Sequence, residues 1–191
     1  MTFRSAIAIC SAAICLSGSS GAAQIEGVRF PDTHTAGDAR LRLHGTGLLR
    51  YGVIIKGYVA ALYLAEAFDE EVTPTSVLGD VPRHLEIEYF WAIPAEFFAQ
   101  ATVEGIAQNT DRKTFDGLRD RIERLNAMYE DVEPGDRYGL TYMPGVGTEL
   151  SRNGRSLGVI EGADFSSALF SIWLGDRALD DSLRRQLLAG G

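Results

Sequence analysis

Cysteine is nearly absent from this chain of 191 residues: its two copies, Cys10 and Cys15, both lie in the first fifteen positions. Everything after them has no disulfide, thiolate metal site or cysteine nucleophile available and must be held together by burial. Histidine is scarce as well. His34, His44 and His84 are too far apart to show metal-ligand spacing, and each is expected at the surface or in a turn. No Cys-x-x-Cys-His haem-attachment motif occurs, and neither a metal nor a cofactor is expected. Positive charge is in deficit, with 18 Lys and Arg against 26 Asp and Glu and a net charge of −8. Such an acidic body repels nucleic acid and anionic membrane surfaces, which leaves small molecules as the expected partners.

Phosphate-loop and hydrolase motifs are lacking too. Gly145 and Gly147 have no strand-then-helix context and no following glycine, so they do not form a dinucleotide loop. Ser166 does not sit in a Gly-x-Ser-x-Gly elbow. The acids at Asp111 and Asp116, and at Glu130, Asp131 and Glu133, read as solvated helix ends rather than acid/base pairs.

Residues 1–23 read as a secretory signal. Arg4 precedes an apolar run from Ala6 to Leu16, and the small residues Gly21, Ala22 and Ala23 stand before Gln24. The run is too short to span a membrane, which takes about 20 apolar residues, and no later segment is long and apolar enough. A retained anchor is the main alternative. A lipoprotein site fits less well, because Ile14 precedes Cys15 where a small residue is wanted. Cleavage would remove one positive charge and leave −9 on the mature chain. The product is expected in the periplasm or secreted, as one domain over residues 24–191, long enough for a sizeable core.

Hydrophobic periodicity then sets the elements. Strands are expected at residues 27–31, 40–43 and 83–91, with a Gly-rich turn at 44–47. The longest β-like run covers residues 48–65. Its inner part, 58–64, is apolar on both faces, and Gly52 and Gly57 mark bends or a hairpin in it. A short helix fits residues 74–78. Amphipathic helices fit 94–107, 111–129 and 180–188, and Asp164 is placed as the N-cap of a helix over 165–174 that ends at Gly175. Trp91 and Trp173 are expected in the core or in a cleft wall. The most specific local signal is Asn153-Gly154 between two strand-like runs, a type I′ hairpin turn. Strands, helices, strands and helices in that order imply an α+β class with antiparallel pairing.

Four ordered blocks carry a resemblance: residues 47–50 (GLLR), 56–64 (KGYVAALYL), 140–147 (LTYMPGVG) and 160–175 (IEGADFSSALFSIWLG). Together they resemble the bacterial chalcone isomerase-like family, over about residues 28–188. The resemblance implies an open-faced β-sandwich, a large antiparallel sheet with helices packed on one face and a ligand cleft between them. That family includes ring-closing isomerases, fatty-acid-binding proteins and non-catalytic relatives. Its charge-stabilising arginine falls on Arg50, with one residue more than the usual Gly-x-Arg spacing. The strand threonine falls on Tyr58, the helix tyrosine near Phe98, the helix asparagine near Gly105, and the late hydroxyl on Ser166 or Ser167. Two catalytic polar groups are thus missing, and loss of one oxyanion-type donor typically costs about 10²–10³ in rate. The resemblance therefore implies binding of a small lipophilic carboxylate such as a fatty acid, with Arg50 as a forked anchor and Tyr58, Phe98, Ser166 and Ser167 around it. An intramolecular lyase acting on an enone is the alternative, and a haem-binding or structural module a further one.

Overall fold

The computed structural model describes residues 22–52 and 55–190. Residues 1–21 of the expected signal lie outside the described residues. Nine strands and five helices follow the chain among the described residues. Strands β1 (Ala22–Ile25) and β2 (Val28–Pro31) form a hairpin of their own. The strand order β3 (Thr33–Ala36), β4 (Ala39–Tyr51), β5 (Ile55–Ala65), β6 (Arg83–Tyr89), β7 (Arg137–Met143), β8 (Gly147–Arg152) and β9 (Arg155–Ile160) is a seven-stranded antiparallel meander. The helices are α1 (Pro74–Val77), α2 (Ala95–Asn109), α3 (Arg112–Asn126), α4 (Ala163–Leu174) and α5 (Asp181–Leu188). No described helix is long and apolar enough to cross a membrane.

Strand β5 explains the layering. Residues 58–64 are all buried, so alternation places side chains in two separate cores. Tyr58, Ala60, Leu62 and Leu64 join the core under the helices; Val59, Ala61 and Tyr63 join a second core on the far face. The far core is covered by the β1–β2 hairpin, whose Phe30 is fully buried. The α+β class and the antiparallel sheet with its helix layer are as the sequence implies. Asn153 and Gly154 adopt φ of 51° and 77° between paired Arg152 and Arg155, as a two-residue hairpin requires.

Four expectations are corrected. Residues 44–47 are not a turn: β4 runs through them with an irregularity between Leu43 and Gly45. The glycines serve a close approach instead. A Cβ on Gly45 would lie 2.4 Å from the Leu187 carbonyl oxygen, and one on Gly47 would lie 2.6 Å from Leu183, so α5 packs directly on bare backbone. His44 is a strand residue whose Nε2 lies 3.1 Å from the Leu188 carbonyl at the end of α5. The cap of α4 is Gly162, and Asp164 instead forms a two-pronged pair with Arg121.

His34 and His84 are not turn or free surface residues. Their rings stack at 3.7 Å in the far face, with His84 only 2 % exposed and its Nδ1 2.8 Å from the Thr141 hydroxyl. Burial above all, then the charge of His34, pushes the His84 pKa down from 6.5 to about 3. Burial lowers that of His34 also, with Glu149 opposing. The unfolded chain takes up protons at these rings near 6.5 while the folded chain does not, so stability drains as pH falls from that value towards 3. Glu86, raised by burial, acts in the opposite sense. Unfolding midpoints measured from pH 7 to 4 are expected to fall, with His84→Gln showing a shallower slope; an unchanged slope would exclude His84 as the source.

Candidate functional site

Between the sheet and the helices lies a cavity of about 340 Å³, at the small end of the range for ligand pockets. Its floor is the helix-facing side of the sheet: Tyr58 from β5, Ile87 and Tyr89 from β6, Tyr138 and Leu140 from β7, and Leu150 from β8. Its roof is Phe98, Ala101 and Thr102 of α2 with Ile172 and Trp173 of α4, and Tyr129 closes one side. Phe97, Gln100, Glu104 and Leu179 stand at the mouth, where Phe97 and Leu179 are more than half exposed. The rings touch one another edge to face, as aromatic quadrupoles favour: Tyr89 lies 5.6 Å from Tyr58 and 5.2 Å from Phe98, and Phe98 lies 5.1 Å from Tyr138.

The polar atoms of this wall are neutral. Tyr58 Oη accepts from Trp173 Nε1 at 3.0 Å. Tyr138 Oη donates to the Glu130 carbonyl and accepts from the Glu130 amide. Tyr129 Oη and Thr102 Oγ1 are 2.9 Å apart. Burial pushes the Tyr129 phenol up to about 12 and raises that of Tyr138, so both stay protonated at neutral pH.

Helix α2 is fixed over the cavity at both ends and at its middle. Ile93 bridges to Val132, and the Ala95 amide donates to Asp131 Oδ1 at 2.8 Å. Asn109 bonds the Gly105 and Arg177 carbonyls. A Cβ on Gly105 would meet Ile172 at 2.8 Å, so α2 rests on α4 through bare backbone there.

Of the residues nominated by sequence, Tyr58 and Phe98 line the cavity, whereas Arg50, Ser166 and Ser167 do not. Leu48 packs in the far core and Leu49 in the helix-side core; past Leu49 the ladder register shifts, and Arg50 lies in a separate groove with Glu26 and residues at the start of α5. There it lies 3.2 Å from Glu26 in the β1–β2 turn, and its side chain is 43 % exposed. Lys56, opposite Arg50 in the ladder, holds the other oxygen of Glu26 and with Arg50 lowers that carboxyl's pKa. Ser167 lines a separate polar groove with Asn109, Thr114 and Asp164. Trp173 is a cavity wall as expected, but Trp91 is 58 % exposed and donates to the Lys56 carbonyl. Sequence reasoning missed Tyr89, Tyr129, Tyr138 and Thr102. The signal available was the shared strand period of Tyr58, Tyr89 and Tyr138, which puts three aromatics on one sheet face.

Ser166 is fully buried and accepts from Arg83 Nη2 at 2.7 Å. Arg83 is itself completely buried, with Nη1 donating to the carbonyls of Val77, Gly79 and Val81 and the guanidinium between the rings of Tyr142 and Phe170. Burial pushes its pKa down to about 10, still charged at neutral pH. No carboxylate among the described residues lies within salt-bridge range of it. Three carbonyls at and just beyond the end of α1, a hydroxyl of α4 and two rings therefore share one cation. Arg83→Met is expected to cost on the order of 3 kcal/mol or more in denaturant unfolding, because those acceptors stay buried without a donor. Arg83→Lys should recover little, since an ammonium cannot fork and stack at once. A loss below about 1 kcal/mol for Met would show that the acceptors find other partners.

Comparison with known proteins bears on this geometry. A family model described as chalcone isomerase-like matches residues 22–189. No curated protein sequence matches the chain. Among solved structures, a fatty-acid binding protein of Arabidopsis thaliana superposes with a TM-score of 0.67 at 14 % identity, covering 88 % of this chain and 96 % of that one. At that identity the likeness is one of fold.

Proposed function

For a chain that belongs to the chalcone isomerase-like family, we propose a non-catalytic role: binding a small lipophilic molecule of the fatty-acid kind in the aromatic cavity. The observation that carries this reading is the cavity itself, preformed, walled by rings and aliphatic chains, with Glu104 as the one charged residue among the described residues that line it. The fatty-acid binding protein of the same fold supports the ligand class. An alkyl chain gains about 0.8 kcal/mol for each methylene removed from water. The carboxylate of an acid would stay hydrated at the mouth beside Gln100, because Arg50 holds Glu26 elsewhere.

Titration with saturated fatty acids of graded length is expected to show affinity rising by up to about fifteenfold for each two added methylenes, then levelling when the cavity is full. Phe98→Glu should weaken binding by at least about tenfold through a buried charge, whereas Arg50→Ala should change it by less than about twofold. Binding abolished by the Arg50 change and untouched by the Phe98 change would move the site away from the cavity.

We also propose that residues 1–23 direct export. Supporting this, the family match begins at residue 22, just beyond the apolar run. Mass spectrometry of the expressed protein should find a mature chain starting at Gln24; a chain retaining Met1 in the cytosol would exclude export.

A further inference from the structure

The cavity wall is unusual in what its polar groups can offer. No lysine, arginine or histidine occurs among the described residues that line it, and Glu104 at the mouth adds negative charge. Cations elsewhere in the fold are committed: Arg152 to Glu130 and Asp136, Arg83 to three carbonyls and Ser166, and Arg50 to Glu26. Inside, Thr102 and Tyr129 form a hydroxyl pair at 2.9 Å, and Thr102 is 3 % exposed. Two hydroxyls own two protons, and their mutual bond consumes one. The second has no acceptor among the described residues, although both side chains line the cavity.

A carboxylate carried in to this pair would lose its hydration and gain one neutral donor, with no cation to balance it. An ester, ketone or alcohol oxygen loses far less hydration and takes the same hydrogen bond. We infer that the cavity is built for a lipophile with an uncharged oxygen, which accepts the spare proton of Thr102 and Tyr129, and that it discriminates against the same skeleton ending in an ionised carboxylate. The inference rests on the aromatic cavity being the ligand site proposed above. It makes the acid, head outward at the mouth, the weaker of two related ligands.

The test is a matched series on the full-length protein at pH 8, each ligand kept below its own aggregation concentration: methyl laurate, dodecanol and laurate, with naphthalene as an oxygen-free control. Methyl laurate and dodecanol are expected to bind at least about tenfold more tightly than laurate. Either hydroxyl alone keeps a free proton, so the informative variant is the double change Thr102→Val with Tyr129→Phe. It should weaken methyl laurate and dodecanol about threefold to tenfold and leave naphthalene within about twofold. Glu104→Gln should narrow the gap by strengthening laurate alone. Laurate binding as tightly as methyl laurate, or a double variant that loses naphthalene as much as the ester, overturns the inference while the cavity remains the ligand site. Failure of every ligand to bind overturns the proposed function, and this inference with it.

Discussion

Everything in this molecule is arranged around a strand that cannot face water on either side. Residues 58–64 of β5 are buried throughout, so the sheet needs a cover on both faces. The helices supply one and the β1–β2 hairpin the other. At about 25 cal/mol for each Å² of apolar surface removed from water, stripping either cover from a stretch holding two tyrosines and two leucines would remove several kcal/mol, a large share of a typical domain's stability. The Glu26 clamp on Arg50 and Lys56 makes sense in that light: it fastens the hairpin turn to the β4–β5 ladder at the sheet end where the far core stops.

Cations are few in this acidic chain, and the fold spends its buried and half-buried ones on structure. Arg83 gathers the carbonyls at and just beyond the end of α1 and bridges them to α4 through Ser166. Arg137 lies over Phe30 and pairs with Glu86 and Glu88 on the far face. Arg121 joins α3 to Asp164 of α4. What is left around the cavity is a wall of rings and neutral hydroxyls, and that division of labour between charge outside and aromatic surface inside gives the site its character.

Much of the fold was legible because it depends on local rules. The alternation in residues 83–91, the Asn153-Gly154 turn and the amphipathic stripes of the helices read at 111–129 and 180–188 each act within a few residues. What sequence could not supply was contact between distant segments. Gly45 and Gly47 look like turn glycines until α5, some 140 residues later, is seen lying on them. His34 and His84 look unrelated until the meander brings β3 and β6 to one face and stacks their rings. Arg50 was the hardest. Its facing turns on the parity of one strand, and a single added residue before it reverses inward and outward. The site was therefore half visible: Tyr58, Phe98 and Trp173 belong to it, while the polar pair of Thr102 and Tyr129 joins two segments that carry no shared motif.

The tethering of α2 has a consequence for what can enter. With its first residues tied to the loop after α3, its middle seated against Ile172 and its last side chain bonded to Arg177, the helix is braced against lifting at three points. A cavity roofed by so tethered a helix is preformed, and little chain entropy is lost when it fills. A braced roof of this kind favours a guest whose cross-section already fits over one that would have to prise the helix from the sheet.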